Sequence, residues 1–207
     1  MSRSLPSVLV VGLGNYTHPL TRHRQARALR VGQYIIDSLA TRLGIELHYD
    51  RSTLSWCGHA EVDISPPRLK GKARQTELLM NISGKAVALS LRSLPGGPPK
   101  PTPATSLLTI QDSIEHQMFK VAPKASGSAN GHNGVRDTIA ALGQDQKFAR
   151  LRIGVGKPMG ADVSKYVLDR LDKDELVWWG HGGKGLDVVW ENVEKWINDR
   201  HSLPPVA

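Results

Sequence analysis

Three short apolar runs constrain what this chain can fold into. They are Ser7-Val8-Leu9-Val10-Val11-Gly12-Leu13, Ser106-Leu107-Leu108-Thr109-Ile110-Gln111-Asp112 and Ala149-Arg150-Leu151-Arg152-Ile153-Gly154-Val155-Gly156. Each is too short for a core helix and rich in branched side chains, so each reads as a strand, the first two as strands buried in a sheet. Helical spacing fills much of the rest. A helix from Ala26 to Leu43 carries Leu29, Gly32, Ile36, Leu39 and Leu43 on one side, with Gly44 as its stop. Ile82 to Leu91 reads as a second helix, with Asn81 where an N-cap would sit. Val135, Ile139 and Leu142 mark a third. Asp162 to Leu171 suggests a short one, and Glu175 to Arg200 one or two more, with Leu186, Val189, Trp190, Val193 and Ile197 on one face. Alternating strands and helices argue for an α/β sheet layered with helices.

The remaining pieces fit around that pattern. Between 45 and 80, Glu46 to Tyr49, Gly58 to Ile64 and Thr76 to Met80 are strand candidates, with turns near Asp50 and Ser65-Pro66-Pro67. Alternation of Ala60, Val62 and Ile64 suggests a half-buried strand. Phe119 to Lys124 reads as a short edge strand, because Pro123 removes a ladder donor. Leu94 to Pro103 holds five prolines and two glycines, and reads as a stiff loop within one domain.

Charge narrows the choice of partner. Lys and Arg number 27 against 19 acids, a net charge of +8 with a pI near 9.8. That balance favours a polyanion, nucleic acid first and an acidic membrane surface second. Cys57 is the only cysteine, which excludes a disulfide framework and a cysteine zinc site, and suits a reducing compartment. No apolar run is long enough for a membrane span. A strand starting at Val8 leaves no room for a long leader.

The chemistry-bearing residues cluster by position. The stretch Ser126-Gly127-Ser128-Ala129-Asn130-Gly131-His132-Asn133-Gly134 leads into a helix. Such a loop offers amides and positive partial charge to an anion or a carbonyl oxygen, while its simplest role is a turn with Asn133 as cap. Asn15, Asn81 and Asp112 end strands or open helices, so with His23 and the Asn133 loop they fit one crevice at the strand ends. His23 with Asp112 is the natural base–carboxylate pair, one among many that eight histidines allow. No GxSxG elbow supports a serine nucleophile. His116 and His132 are not spaced for one metal-binding helix face. Pro158 spoils Gly154-Val155-Gly156-Lys157 as a phosphate loop, leaving a tight turn with Lys157 available to a phosphate.

Several motifs also stand in a familiar order. Val10-Val11-Gly12-Leu13-Gly14-Asn15, Thr21-Arg22-His23, Met80-Asn81-Ile82-Ser83-Gly84-Lys85-Ala86-Val87, Asp112, Gly131-His132-Asn133-Gly134-Val135-Arg136-Asp137 and Phe148 to Gly156 together resemble the bacterial-type peptidyl-tRNA hydrolases, over roughly residues 8 to 200. The resemblance implies a single α/β domain with a twisted mixed sheet flanked by helices, monomeric, without metal or cofactor. It implies hydrolysis of the ester between peptide and tRNA, releasing tRNA for reuse. By motif, His23 resembles the catalytic base and Asp112 its orienting acid. Asn15, Asn81 and Asn133 resemble the asparagines that position the ester, with Leu79 and His132 expected beside the substrate.

Departures from the pattern mark a divergent member, expected from a eukaryote. Tyr16 stands where the family has Pro. The loop from Asn15 to His23 is about two residues short, Arg24-Gln25-Ala26 replaces a small polar residue and a small-Gly pair, and Leu79 replaces an aromatic. The Pro-rich loop and Gly180 to Gly185 are idiosyncratic. Lys120, Lys124, Arg136, Arg150, Arg152 and Lys157 are the candidates for phosphate contact, each read equally well as a solvated surface charge. The cytoplasm is the expected compartment, or the mitochondrion given an import signal. The altered loop near His23 keeps a second reading open, an RNA-binding relative with weakened catalysis.

Overall fold

The first apolar run forms β1 (Ser7–Gly12), with Val8, Leu9 and Val11 buried. A computed structural model describes residues 7–14, 27–63, 68–76, 83–94, 103–157 and 171–201. Among these residues six more strands join β1: β2 (His48–Asp50), β3 (Ser55–Asp63), β4 (Arg68–Thr76), β5 (Leu107–Ser113), β6 (Val121–Lys124) and β7 (Ala149–Gly154). The sheet order is β2-β3-β4-β1-β5-β7-β6, so β1 lies at its middle. β1 pairs parallel with β4 and β5, and β5 parallel with β7. β2–β3, β3–β4 and β6–β7 are antiparallel. The sheet is therefore mixed, with a parallel centre and antiparallel margins.

Among the described residues five α-helices flank it: α1 (Arg27–Arg42), α2 (Gly84–Arg92), α3 (Asn133–Ala141), α4 (Lys173–Trp179) and α5 (Lys184–His201). Side chains alternate along a strand, so the parallel centre feeds two cores. Val8, Leu108, Ile110, Leu151 and Ile153 pack with Ile35, Leu39, Val189 and Val193 of α1 and α5. Leu9, Val11, Leu13 and Leu107 pack with Val87, Leu91, Val135 and Ile139 of α2 and α3. Helix α1 lies almost on the backbone of the sheet. A Cβ on Gly32 would stand 2.8 Å from the Leu13 carbonyl oxygen and overlap that of Ile110. Gln33 Nε2 donates to the Gly14 carbonyl at 3.0 Å, which fixes the chain as it leaves β1.

Several expectations hold. Gly44 ends α1 at φ 65°, and Pro123 lies exposed on the edge strand β6. Leu186, Val189, Val193 and Ile197 form the buried face of α5. The Gly180–Gly185 patch closes the turn between α4 and α5, where Gly183 and Gly185 crowd Trp178.

Others need correction. Positions 77–80 of the Thr76 to Met80 candidate lie outside the described residues, which place a strand at Arg68–Thr76 not expected from the sequence. Its sequence, RLKGKARQT, carries four cations and no apolar run. It becomes a strand because β3 and β1 supply ladder partners along both its edges. The N-cap position of α2 is Ser83, which makes no side-chain cap bond, and Asn81 lies outside the described residues. The cap of α3 is His132, so Asn133 is the first helical residue. The Ser65-Pro66-Pro67 turn, most of the Pro-rich loop and the 162–171 helix lie outside the described residues.

Candidate functional site

Asp112 stands near the C-terminal end of β5 and is 8% exposed. A carboxylate so far from water needs a partner. Among the described residues that partner is His132, whose Nε2 lies 3.2 Å from Asp112 Oδ1. The same imidazole caps α3, with Nδ1 accepting from the Val135 amide at 3.2 Å. An acceptor nitrogen carries a lone pair, and a nitrogen facing a carboxylate carries a proton. The two contacts therefore assign His132 as the neutral Nε2–H tautomer. Both of its nitrogens are engaged, so it anchors Asp112 rather than serving as a base.

The Gly-rich loop brings His132 there. Asn130 and Gly131 take positive φ, 47° and 83°, which turns the chain sharply into α3. Ser128 Oγ donates to Asn130 Oδ1 at 2.8 Å, and the His132 amide to the Ala129 carbonyl at 3.0 Å. Arg150 holds the loop from below. Its guanidinium donates to the carbonyls of Gly127 and Ser128 and lies 4.9 Å from the Phe148 ring centre. Arg150 is buried at 2% exposure and engaged in the loop, so it is not the surface phosphate contact expected from its charge.

A cationic strip flanks the loop. Lys124 of β6 lies directly opposite Arg150 of β7, and Arg152 two residues further along β7 opposes Ala122. Like charges this close repel. Burial, then Arg150 and Arg152, push the Lys124 ammonium below its usual range, while Glu115 acts the other way. Burial and then Arg152 depress Arg150 similarly. Close cations with depressed proton affinity gain most when an anion arrives. Lys120, Arg136 and Lys157 are exposed.

The loop between β5 and β6 adds a residue weighed from the sequence only as a metal ligand. His116 Nδ1 lies 2.7 Å from Ser113 Oγ, and its carbonyl accepts from Gly156 at 3.0 Å. Burial first, then Arg152 and Lys120, lower its pKa, with Glu115 opposing. Its position between Asp112 and Lys120 was the available signal. Asn15, His23, Leu79 and Asn81 lie outside the described residues, and Asn133 is exposed at the start of α3. Among the described residues no three His, Cys, Asp or Glu side chains are grouped to hold a metal.

Fold and site together define an α/β protein with an anchored acid at a strand end and a cationic strip beside it. A family model described as peptidyl-tRNA hydrolase matches residues 9–201. The peptidyl-tRNA hydrolase of Chloroflexus aurantiacus is 36% identical over 168 residues, 81% of each chain. That of Alkaliphilus metalliredigens is 34% identical, covering 81% of this chain and 82% of its own. The crystal structure of the Acinetobacter baumannii enzyme shares the fold, with TM-score 0.70, 24% identity and 96% of each chain covered. The chain belongs to the peptidyl-tRNA hydrolase family.

Proposed function

We propose that this protein hydrolyses the ester between peptide and tRNA, with His23 as base and Asp112 as the acid that orients it. The observation that carries this reading is the anchored carboxylate: Asp112 is buried and tied through Oδ1 to an imidazole locked as a neutral tautomer. A carboxylate has two oxygens, so holding His132 with one leaves the other to orient a second imidazole. His23 would then take a proton from water as the water oxygen bonds to the ester carbonyl. The proton passes to the departing ribose oxygen as the C–O bond breaks, and His23 returns neutral. The tetrahedral oxyanion needs donors already in place. Asn15, Asn81 or the Asn133 and Gly134 amides at the start of α3 would supply them, since the first amides of a helix have no intrahelical acceptor. Leu79 and Asn133 would border the peptidyl end.

Incubating the purified protein with peptidyl-tRNA tests this directly. Release of free tRNA at catalytic turnover supports it. Tight tRNA binding with no release would favour the RNA-binding relative instead. The full reading is a single domain with its core at 8–200, a monomer free of metal and cofactor, from a eukaryote. It would work in the cytoplasm, or in the mitochondrion given an import signal. Among the described residues no helix is long and apolar enough to cross a membrane.

The cationic strip would hold tRNA phosphates through Lys120, Lys124, Arg136 and Arg152. Each neutralised phosphate releases counterions, changing the log–log salt slope by about −0.7 for single strands and somewhat more for duplex. Replacing Lys120 and Lys124 together by Ala should flatten the slope by about one to two units while kcat stays near wild type. Unchanged affinity and slope would remove these lysines from the interface.

His116 predicts a pH dependence. In the free protein, burial, Arg152 and Lys120 hold it below the usual 6.5. A phosphate on Arg152 and Lys120 would cancel their repulsion and favour the imidazolium, so the pKa rises in the complex. Binding then takes up a proton. Affinity for tRNA should increase as pH falls from about 6.5 towards the lowered free value, and His116→Gln should flatten this dependence. Isothermal titration in buffers of different ionisation enthalpy counts the proton. Equal proton uptake by wild type and His116→Gln would exclude this role.

A further inference from the structure

The first helical amide of α2 is held by a residue of another helix. Gly84 N–H donates to Asp137 Oδ2 at 2.5 Å. Ser83, at the N-cap position, has helical dihedrals and makes no side-chain cap bond. Asp137 therefore supplies from α3 what a neighbouring Ser or Asn ordinarily supplies from the same chain segment. Its negative charge also suits the positive end of the helix, and the bond is charge-assisted. The approach is close: a Cβ on Gly84 would stand 2.6 Å from the Asp137 carbonyl carbon and 2.8 Å from Oδ2.

A local cap would have satisfied α2 equally well. A bond across to α3 does something further, since it ties the start of one helix to the body of the other. Asn81 lies three residues before Gly84 in sequence, and Asn133 lies one helical turn before Asp137 on α3. The bond thus ties the start of α2, which follows Asn81 in sequence, to the helix that carries Asn133. We propose that Asp137 is a positioning residue of the hydrolase: through the Gly84 amide it sets the spacing between the Asn81 and Asn133 segments, and so the pose of the peptidyl ester. This inference rests on the assignment of Asn81 and Asn133 to the substrate given above.

The test compares Asp137→Ala, Asp137→Asn and Gly84→Ala with wild type, all assayed well below each variant's own Tm. Asp137→Ala should lower kcat/KM for peptidyl-tRNA by about 10- to 10²-fold, the scale of a misplacement near 1 Å. Its affinity for deacylated tRNA should stay near wild type, because that ligand lacks the peptidyl ester. Asp137→Asn keeps an acceptor oxygen and should recover most of the loss. Gly84→Ala should reproduce the loss, and the double variant should be no worse than either single one. A folded Asp137→Ala protein with wild-type kcat/KM overturns the proposal, as does equal loss of tRNA affinity and turnover. Hydrogen exchange reads the coupling without turnover. Amides of Gly84 and of the first turn of α3 should exchange faster together in Asp137→Ala, and protection unchanged at either overturns the coupling. A wild-type protein that turns over no peptidyl-tRNA fails the functional assignment instead, and exchange then decides the coupling alone.

Discussion

Replacing His23 by Ala is expected to reduce kcat for peptidyl-tRNA hydrolysis by about 10²–10⁴-fold, the range for a lost general base. Affinity for tRNA and its salt dependence should not change, because phosphate contacts position the ligand and take no part in the proton transfer. Asp112→Asn should also lower kcat with little effect on binding. The amide keeps the shape of the carboxylate but loses its charge, so it neither steadies an imidazolium nor accepts from both imidazoles. In this structure the change has a second consequence. His132 Nε2 carries a proton that needs an acceptor at Asp112, and Asn meets that need only with its oxygen turned towards His132. Its NH₂ group would then face the side meant for His23. Single-turnover kinetics on a defined peptidyl-tRNA measures the chemical step. An Asp112→Asn enzyme with wild-type kcat would remove Asp112 from the reaction, and an active His23→Ala enzyme would move the base elsewhere.

The second large effect concerns the seat of α1. Gly32→Val should cost more than about 3 kcal/mol, the upper end for overpacking, because the added atoms meet backbone oxygens that no side-chain rotation can clear. For a chain of this size that corresponds to a Tm loss of about 6–12 °C or more. Circular dichroism melts and urea midpoints give the number. A Tm within experimental error of wild type would mean that α1 shifts easily off the sheet. Activity should fall below the melting transition as well. Gln33 follows Gly32 and holds the Gly14 carbonyl, the last described position before Asn15.

The parts of this protein that were legible in its sequence share a physical property. β1 and β5 are buried on both faces, so their apolar character is continuous and needs no partner to be recognised. Helix α5 carries its own period, with Leu186, Val189, Val193 and Ile197 on one face. The family motifs were legible for the same reason, since each is a local run of residues. Strand β4 was not, because its cations carry no apolar signal and its strand state comes from ladder bonds made by β3 and β1. Only tertiary structure decided the uses of the charged groups. Arg150 looks like a phosphate contact by composition, but β7 points it under the Gly-rich loop, where two carbonyls occupy it. Asp112 could have paired with any of several histidines. The turn at Asn130 and Gly131 chose His132, twenty residues away, by aiming the start of α3 at the end of β5. Pairings of that range depend on where two backbones meet in space, and no local pattern of residue types encodes the meeting.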